Sequence, residues 1–390
     1  MLLVERHVIR TTPLIVKLCK MSKELYNKCN YHMRHRWFAN LKSENWDTPL
    51  PDITTLIKLV KNEPSFNNLH NTKTAKQTVR KCLSDWSNFR KALKAYNKNP
   101  SAFVKKPRPP HYKKRLAQVI FYNETIKKKS LKQGIITPTN DCFSIKSSRD
   151  FKQVVITPKR FGFVVDVQYE QEIPHKVNGK GICCIDIGLN NLATITSDQF
   201  FPILVNGRIV KSINQWFNKC PSKRNSNKRY WRLENYFHHV SKYVIDLCLK
   251  HNVGTIIIGK NDGWKQEMNL GKKTNQNFQY VPFYRLMEKI KYKEAIVGVR
   301  VLFTEEAYTS KASFLDHDPL PMYEEGVKHT FSGKRVKRGL YRSSLKPIHG
   351  DVNGSLNIGR KVIGDKVYET FSDRSIAAMP VRINPLKISA

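Results

Sequence analysis

From position 13 to about 95, apolar residues recur at spacings of three and four. Leu14, Leu18, Met21, Leu25 and Cys29 mark one such face, and Val79, Leu83, Trp86, Phe89, Leu93 and Tyr96 mark a second. This spacing predicts helices, with Pro49, Pro51 and Pro64 interrupting the chain between them. Between 117 and 172 the pattern changes to short alternating runs: QVIFY, QGIITP, CFSIKS, KQVVITP and FGFVVDVQY. Turn residues separate them, which predicts a small β-barrel or sandwich. The opening run LLVERHVIR alternates in the same way and is expected to join that sheet, so that the helical module is inserted into it.

The composition shifts again at HKVNGKG (175–181), which reads as a domain boundary. GICCIDIG, NLATITSD and FPILVNG follow as three strands, then a long amphipathic helix, RYWRLENYFHHVSKYVIDLCLKH. VGTIIIGK is a buried strand, PFYRLMEKIKYKEAI a helix and VRVLFTEEAYT a last strand. A three-strand meander followed by alternating helices and strands is the order of an RNase H-like α/β domain. The expectation is therefore an α/β multidomain protein divided at 1–12, 13–104, 105–178, 179–365 and a tail over 366–390, which shows little periodicity and is expected to be partly disordered.

Charge adds a partner to this picture. Among 390 residues, 69 Lys and Arg face 31 Asp and Glu, a net charge of +38. Both halves share it: 36 basic and 13 acidic side chains lie before position 181, and 33 and 18 after it. A surplus this large is most simply balanced by a polyanion running along the whole molecule. It is densest around the proline-stiffened segment KKPRPPHYKKR, which offers Lys105, Lys106, Arg108, Lys113, Lys114 and Arg115 for phosphates and Tyr112 for stacking. A second basic stretch, free of acids from 326 to 350, includes Lys334, Arg335, Lys337 and Arg338.

The eight cysteines form no C-x-x-C pair, so no zinc ribbon is predicted, and they read as buried thiols of a reducing compartment. No apolar run reaches the roughly 18 residues of a membrane span, and Glu5 and Arg6 sit where a signal peptide needs apolar residues. A cytoplasmic, nucleoid-associated protein with no membrane partner is expected.

Two aspartates carry the candidate chemistry. Asp186 lies inside the apolar strand ICCIDIG, where a carboxylate is costly unless a cation binds it. Asp351 opens DVNGSLNIGRKVI, either as the cap of a helix or as a second carboxylate brought to the first strand from a helix beyond the last one.

CKMSKELYNKCNYHMR, KQTVRKCLSDWSNFRKAL, KKPRPPHYKK, IDIGLNNLATI, YTSKASF and DVNGSLNI resemble, in this order, segments of the TnpB family. These are insertion-sequence-encoded RNA-guided endonucleases, relatives of the type V CRISPR effectors. The resemblance covers nearly the whole chain. It implies a helical recognition domain over 13–104, a β-barrel wedge domain over 1–12 and 105–178, and a RuvC nuclease over 179–365. It further implies a guide RNA from the element's flank, a double-stranded DNA target beside a short motif, and cleavage that needs Mg²⁺ or Mn²⁺. Asp186 and Asp351 match the family's first and last catalytic aspartates.

The chain departs from that pattern twice. Many TnpB proteins place a glutamate where this sequence has Gly259, and here Glu305 or Glu306, one strand further on, is the expected replacement. The two point to opposite faces of a strand, and Glu306, nearest the strand end, is the preferred ligand, with Glu267 an outside candidate. The second departure is the basic insert FSGKRVKRGLYR, which stands where relatives carry paired cysteines. The expected chemistry is two-metal phosphodiester hydrolysis with Asp186, Glu306 and Asp351 as ligands. A guided DNA-binding repressor that no longer cuts, and a DDE-type transposase that joins strands, are the alternatives.

Overall fold

The computed structural model describes residues 1–159, 162–172, 179–261, 281–324, 326–337, 339–364 and 379–388. The chain forms two compact units, Met1–Gln171 and Glu172–Ala390. No helix among the described residues is long and apolar enough to cross a membrane.

In the first unit, β1 (Leu2–Ile9) runs antiparallel to β6 (Gly162–Glu170), so the opening run joins the sheet built from the later strands. Between β1 and β2 (Val119–Tyr122) stand α1 (Pro13–Ser43), α2 (Ile53–Val60), α3 (Pro64–Asn67) and α4 (Thr72–Lys98). Thr12 caps α1 and Asn71 caps α4, each accepting a backbone N–H of the first turn. Ile15, Leu18, Leu25, Cys29 and Met33 of α1 pack with Val79, Cys82, Trp86 and Phe89 of α4. Leu14, expected on the buried face, is exposed, and its neighbour Ile15 fills the core position.

The expected barrel is a four-stranded antiparallel sheet of order β1-β6-β5-β2, with β5 at Phe151–Lys159. After β2 come the short helix α5 (Lys128–Lys132) and a separate two-stranded ladder, β3 (Ile135–Ile136) with β4 (Ile145–Lys146). Two-residue strands that pair with each other supply no ladder to join β1 to β2, which explains why the sheet does not close among the described residues.

The second unit is built on a six-stranded mixed sheet. β7 (Gly181–Asp186), β8 (Asn191–Ser197) and β9 (Ile203–Asn206) form the antiparallel meander. β10 (Val253–Lys260) lies parallel to both β7 and β11 (Arg300–Glu305). Alternation assigns the faces. Cys183, Ile185, Ile256 and Ile258 pack with α7 (Lys223–Lys250) and α8 (Phe283–Val297). Cys184 and Ile257 pack instead with Ile358 of α9 (Gly350–Ile363). A helix absent from the sequence reading, α6 (Arg208–Lys219), buries Val210 and Ile213 just ahead of α7.

A small antiparallel sheet, β12 (Lys334–Lys337), β13 (Leu340–Arg342) and β14 (Pro347–Ile348), occupies the basic insert. Of the expected C-terminal tail, 366–378 and 389–390 lie outside the described residues, and the part between them is not a free end. Its residues Val381–Ile383 form β15, parallel to β9 at the sheet edge, with Arg382 opposite Leu204. A three-residue strand takes its hydrogen bonds from its neighbour and leaves no readable period of its own.

Candidate active site

Strand alternation turns Asp186, the last residue of β7, toward α9, as it turns Cys184 two residues earlier. α9 can lie this close to the strand because position 354 has no side chain. A Cβ there would stand 2.8 Å from Asp186 Oδ2. Three polar side chains of α9, all fully buried, then fix its height and rotation. Ser355 Oγ lies 2.9 Å from Cys184 O and 2.9 Å from Thr196 Oγ1. Asn353 accepts from Phe314 N at 2.9 Å and donates to Ala312 O at 2.8 Å. Asn357 donates to Thr309 O and Ala312 O. The motifs DVNGSLNI and YTSKASF thus bind each other.

Asp351 is not the helix cap. His349 takes that role, its Nδ1 accepting from Asp351 N at 3.3 Å. The Asp351 carboxylate is left to the groove, where Asn191 Nδ2 donates to Oδ2 at 2.7 Å and Arg335 pairs with Oδ1. Asp186 and Asp351 line one groove of about 880 Å³. Burial, and next the charge of Asp351, push the Asp186 carboxyl up to about 7, with Arg335 offsetting part of the rise. Two carboxylates in this arrangement favour any cation that enters.

Gly259 and Glu306 are geometrically linked. Gly259 pairs with Thr304 on the neighbouring strand, and Glu306 follows just past the end of β11. A Cβ on Gly259 would come within 2.7 Å of Glu306 Cγ and 2.6 Å of Ile358 Cδ1, and nearer still to Glu306 Oε1. The side chain of Glu306 therefore occupies the space that a larger residue at 259 would need. Glu305 is directed elsewhere, to Lys361 Nζ at 3.3 Å.

A divalent cation can be tested against these residues. The donors are carboxylate oxygens, burial and the charge of Asp351 raise the Asp186 pKa even with Arg335 at the site, and Gly354 keeps space open at Asp186, so the pair fits a hard ion such as Mg²⁺. The set of three is not closed, because no three His, Cys, Asp or Glu side chains among the described residues are gathered as a metal site. In this arrangement Arg335 stands at Asp351 as its cation.

The wall of the groove includes Arg208, Lys337 and Arg382 beside Arg335. The sequence reading missed Arg208 and Arg382, and no local signal marks them, since one opens an unforeseen helix and the other sits in the supposed tail. Of the other residues singled out for nucleic acid, Lys105, Lys106, Arg108, Tyr112, Lys114, Arg115 and Lys334 are exposed. Lys113 turns inward, its ammonium 3.7 Å from the centre of the Tyr26 ring and its pKa lowered by burial. Arg338 and Glu267 lie outside the described residues.

No protein-family profile matches the chain, and no curated protein matches it in sequence. Its similarity is to solved structures. One is the cryo-EM structure of a Cas12f1–sgRNA–target DNA complex, 12% identical over 88% of this chain and 82% of that one, with a TM-score of 0.50. Another is a CRISPR-Cas12f ternary complex, 12% identical over 88% of this chain and 80% of the other, with a TM-score of 0.34. With so few identities the first likeness concerns the fold: the α/β architecture of this chain is similar, over most of its length, to that of Cas12f1.

Proposed function

We propose that the protein is an RNA-guided, metal-dependent DNA endonuclease of the TnpB type, encoded by a transposable element and guided by RNA from the element's flank. The observation that carries this reading is the meeting of Asp186 and Asp351 across the β7–α9 contact, in a groove with cationic walls. The likeness in fold to a protein solved with sgRNA and target DNA supports it.

Asp186 and Asp351 would hold Mg²⁺ or Mn²⁺, with Glu306 reaching them past Gly259 near the end of β10. Bound there, the ions would supply Lewis acidity toward the scissile phosphate and activation of the attacking water. Arg208, Lys337 and Arg382 would hold phosphates of the strand lying in the groove, and Asn191 orients the Asp351 carboxylate toward it. Base pairing between guide and target would set the sequence cut, beside a short flanking motif read by the protein.

A second reading has one observation in its favour. The Arg335–Asp351 pair and the open ligand set also suit a guided DNA-binding protein that no longer cuts. The test is cleavage of a plasmid library with randomised flanks by protein co-expressed with its native flanking RNA, with and without Mg²⁺. Wild type is compared with Asp186→Ala and Glu306→Gln. Mg²⁺-dependent cutting lost in both variants supports the nuclease. Guide-dependent plasmid binding with no cutting refutes it in favour of the second reading, and joined rather than cut products would indicate a transposase.

A further inference from the structure

The helical module of the first unit carries an aromatic groove that the nuclease chemistry does not use. Its volume is about 450 Å³, and Tyr31, Arg34, His35, Phe38 and Lys42 of α1 line it together with Tyr112 from the proline-rich segment. On α1 these residues fall at helical spacing on the face away from Leu25, Cys29 and Met33, which enter the core. The rings are open to water: Tyr31 is 52% exposed, Phe38 43% and Tyr112 45%. Three exposed rings around one groove call for a ligand with an apolar face.

The groove is built in advance of that ligand. Arg34 lies 5.1 Å from the centre of the Phe38 ring and 5.5 Å from that of Tyr112, bridging the helix and the segment. Its Nη1 donates to Pro110 O at 2.9 Å, and Asn30 Nδ2 donates to the same oxygen at 3.1 Å. Asn27 closes the docking, accepting from Lys113 N at 2.7 Å and donating to Lys113 O at 3.1 Å. Trp86 Nε1, donating to Asn30 Oδ1 at 2.8 Å, holds Asn30 from the core side. With its prolines and these anchors, the segment loses little freedom when something binds against Tyr112.

The chemistry selects the occupant. The lining offers π faces with guanidinium, imidazole and ammonium groups and no carboxylate, so it matches a flat aromatic group with negative charge beside it. We infer that this groove is a stacking site for an unpaired base of single-stranded nucleic acid, with Tyr31, Phe38 and Tyr112 as the platform and Arg34 and Lys42 beside the flanking phosphates. A duplex would bury its base faces in its own stack and leave the platform unused. The identity of the strand, guide RNA or displaced DNA, rests on the function proposed above; the stacking does not.

The test uses the full-length protein and oligonucleotides carrying one 2-aminopurine, whose fluorescence is quenched by stacking. Single-stranded RNA, single-stranded DNA and duplex RNA of one sequence are titrated against wild type, Phe38→Ala, Tyr112→Ala and Tyr112→Phe. The expected result is quenching with a single strand and none with the duplex. Each alanine variant should bind about 5- to 100-fold more weakly, as loss of one base–ring stack does, while Tyr112→Phe retains binding. The substituted rings are exposed, and an unchanged thermal melt shows that the variants fold. Preference for RNA points to the guide, and preference for DNA to the displaced strand. Equal quenching by the duplex, or alanine variants that bind like wild type, overturns the inference. If stacking holds while guided cleavage fails, the nuclease reading falls alone; the reverse result removes only the stacking site.

Discussion

Replacing Gly259 by alanine probes how Glu306 is placed. The added Cβ would stand 2.7 Å from Glu306 Cγ and 2.6 Å from Ile358 Cδ1, where ordinary contacts begin at 3.4 Å. Both neighbours must therefore retreat, each by roughly 0.7 Å. Ile358 is fully buried and yields only at a packing cost, and Glu306, at the strand end, is displaced as well. Overpacking of this kind costs about 1–3 kcal/mol. At about 2–4 °C per kcal/mol for a unit of this size, the melting transition of the unit Glu172–Ala390 should fall by several degrees. If Glu306 serves as the metal ligand proposed above, cleavage should fall further than stability does, by about 10- to 100-fold, because its displacement misplaces the reacting groups. A swap completes the experiment: Gly259→Glu combined with Glu306→Gly returns a carboxylate from the neighbouring strand and should recover part of the activity that Glu306→Gly alone loses. Guide-dependent plasmid cleavage and differential scanning calorimetry read the two effects. If Gly259→Ala melts and cleaves like wild type, Glu306 does not fill that space. If the swap is no better than Glu306→Gly, the space is not where the third ligand works.

Other perturbations address the same unit. Asn353→Ala removes two buried hydrogen bonds to the 312–314 backbone and leaves those backbone groups unsatisfied, so it should cost about 2–5 kcal/mol, visible as a lower denaturation midpoint. Arg335→Gln withdraws the cation from Asp351 and should tighten Mn²⁺ binding by about ten-fold, measured by calorimetry without nucleic acid; unchanged affinity would mean that the guanidinium does not compete with the ion. Arg382→Gln should weaken strand binding at every sequence alike and lower the slope of log affinity against log salt by about one, as loss of one phosphate contact does. An unaltered slope would remove Arg382 from the groove's phosphate contacts.

What the sequence revealed and what it hid divide along physical lines. Long periodic segments were legible because burial repeats in them: the apolar faces of α1 and α4 and the opening strand follow directly from spacing, while the meander at 181–206 shows as short apolar runs between turn residues. Features supplied by a neighbour were not legible. β15 owes its existence to the edge of β9, Arg208 gains its place from α6, and Lys113 is turned inward by Tyr26, although its sequence context is that of a solvated basic run. The cap of α9 shows the same limit. Asp351 and His349 stand two residues apart and both can accept a first-turn N–H, and only the observed geometry gives the cap to His349 and frees the carboxylate.

The pairing of Gly259 with Glu306 extends that reasoning to the site itself. Neighbouring strands of a sheet lie about 4.8 Å apart, less than the reach of a glutamate side chain. A carboxylate can therefore be delivered to one place in space from either of two adjacent strands, provided that the strand not supplying it leaves the volume empty. Read column by column, Gly259 is a lost ligand; read by volume, the missing Cβ is the condition under which Glu306 can lie where it does. The same holds at Gly354, where a missing side chain admits Asp186 to the helix. For Asp186 and Glu306, position along the chain is thus a weaker constraint than the space left by the residues that are small.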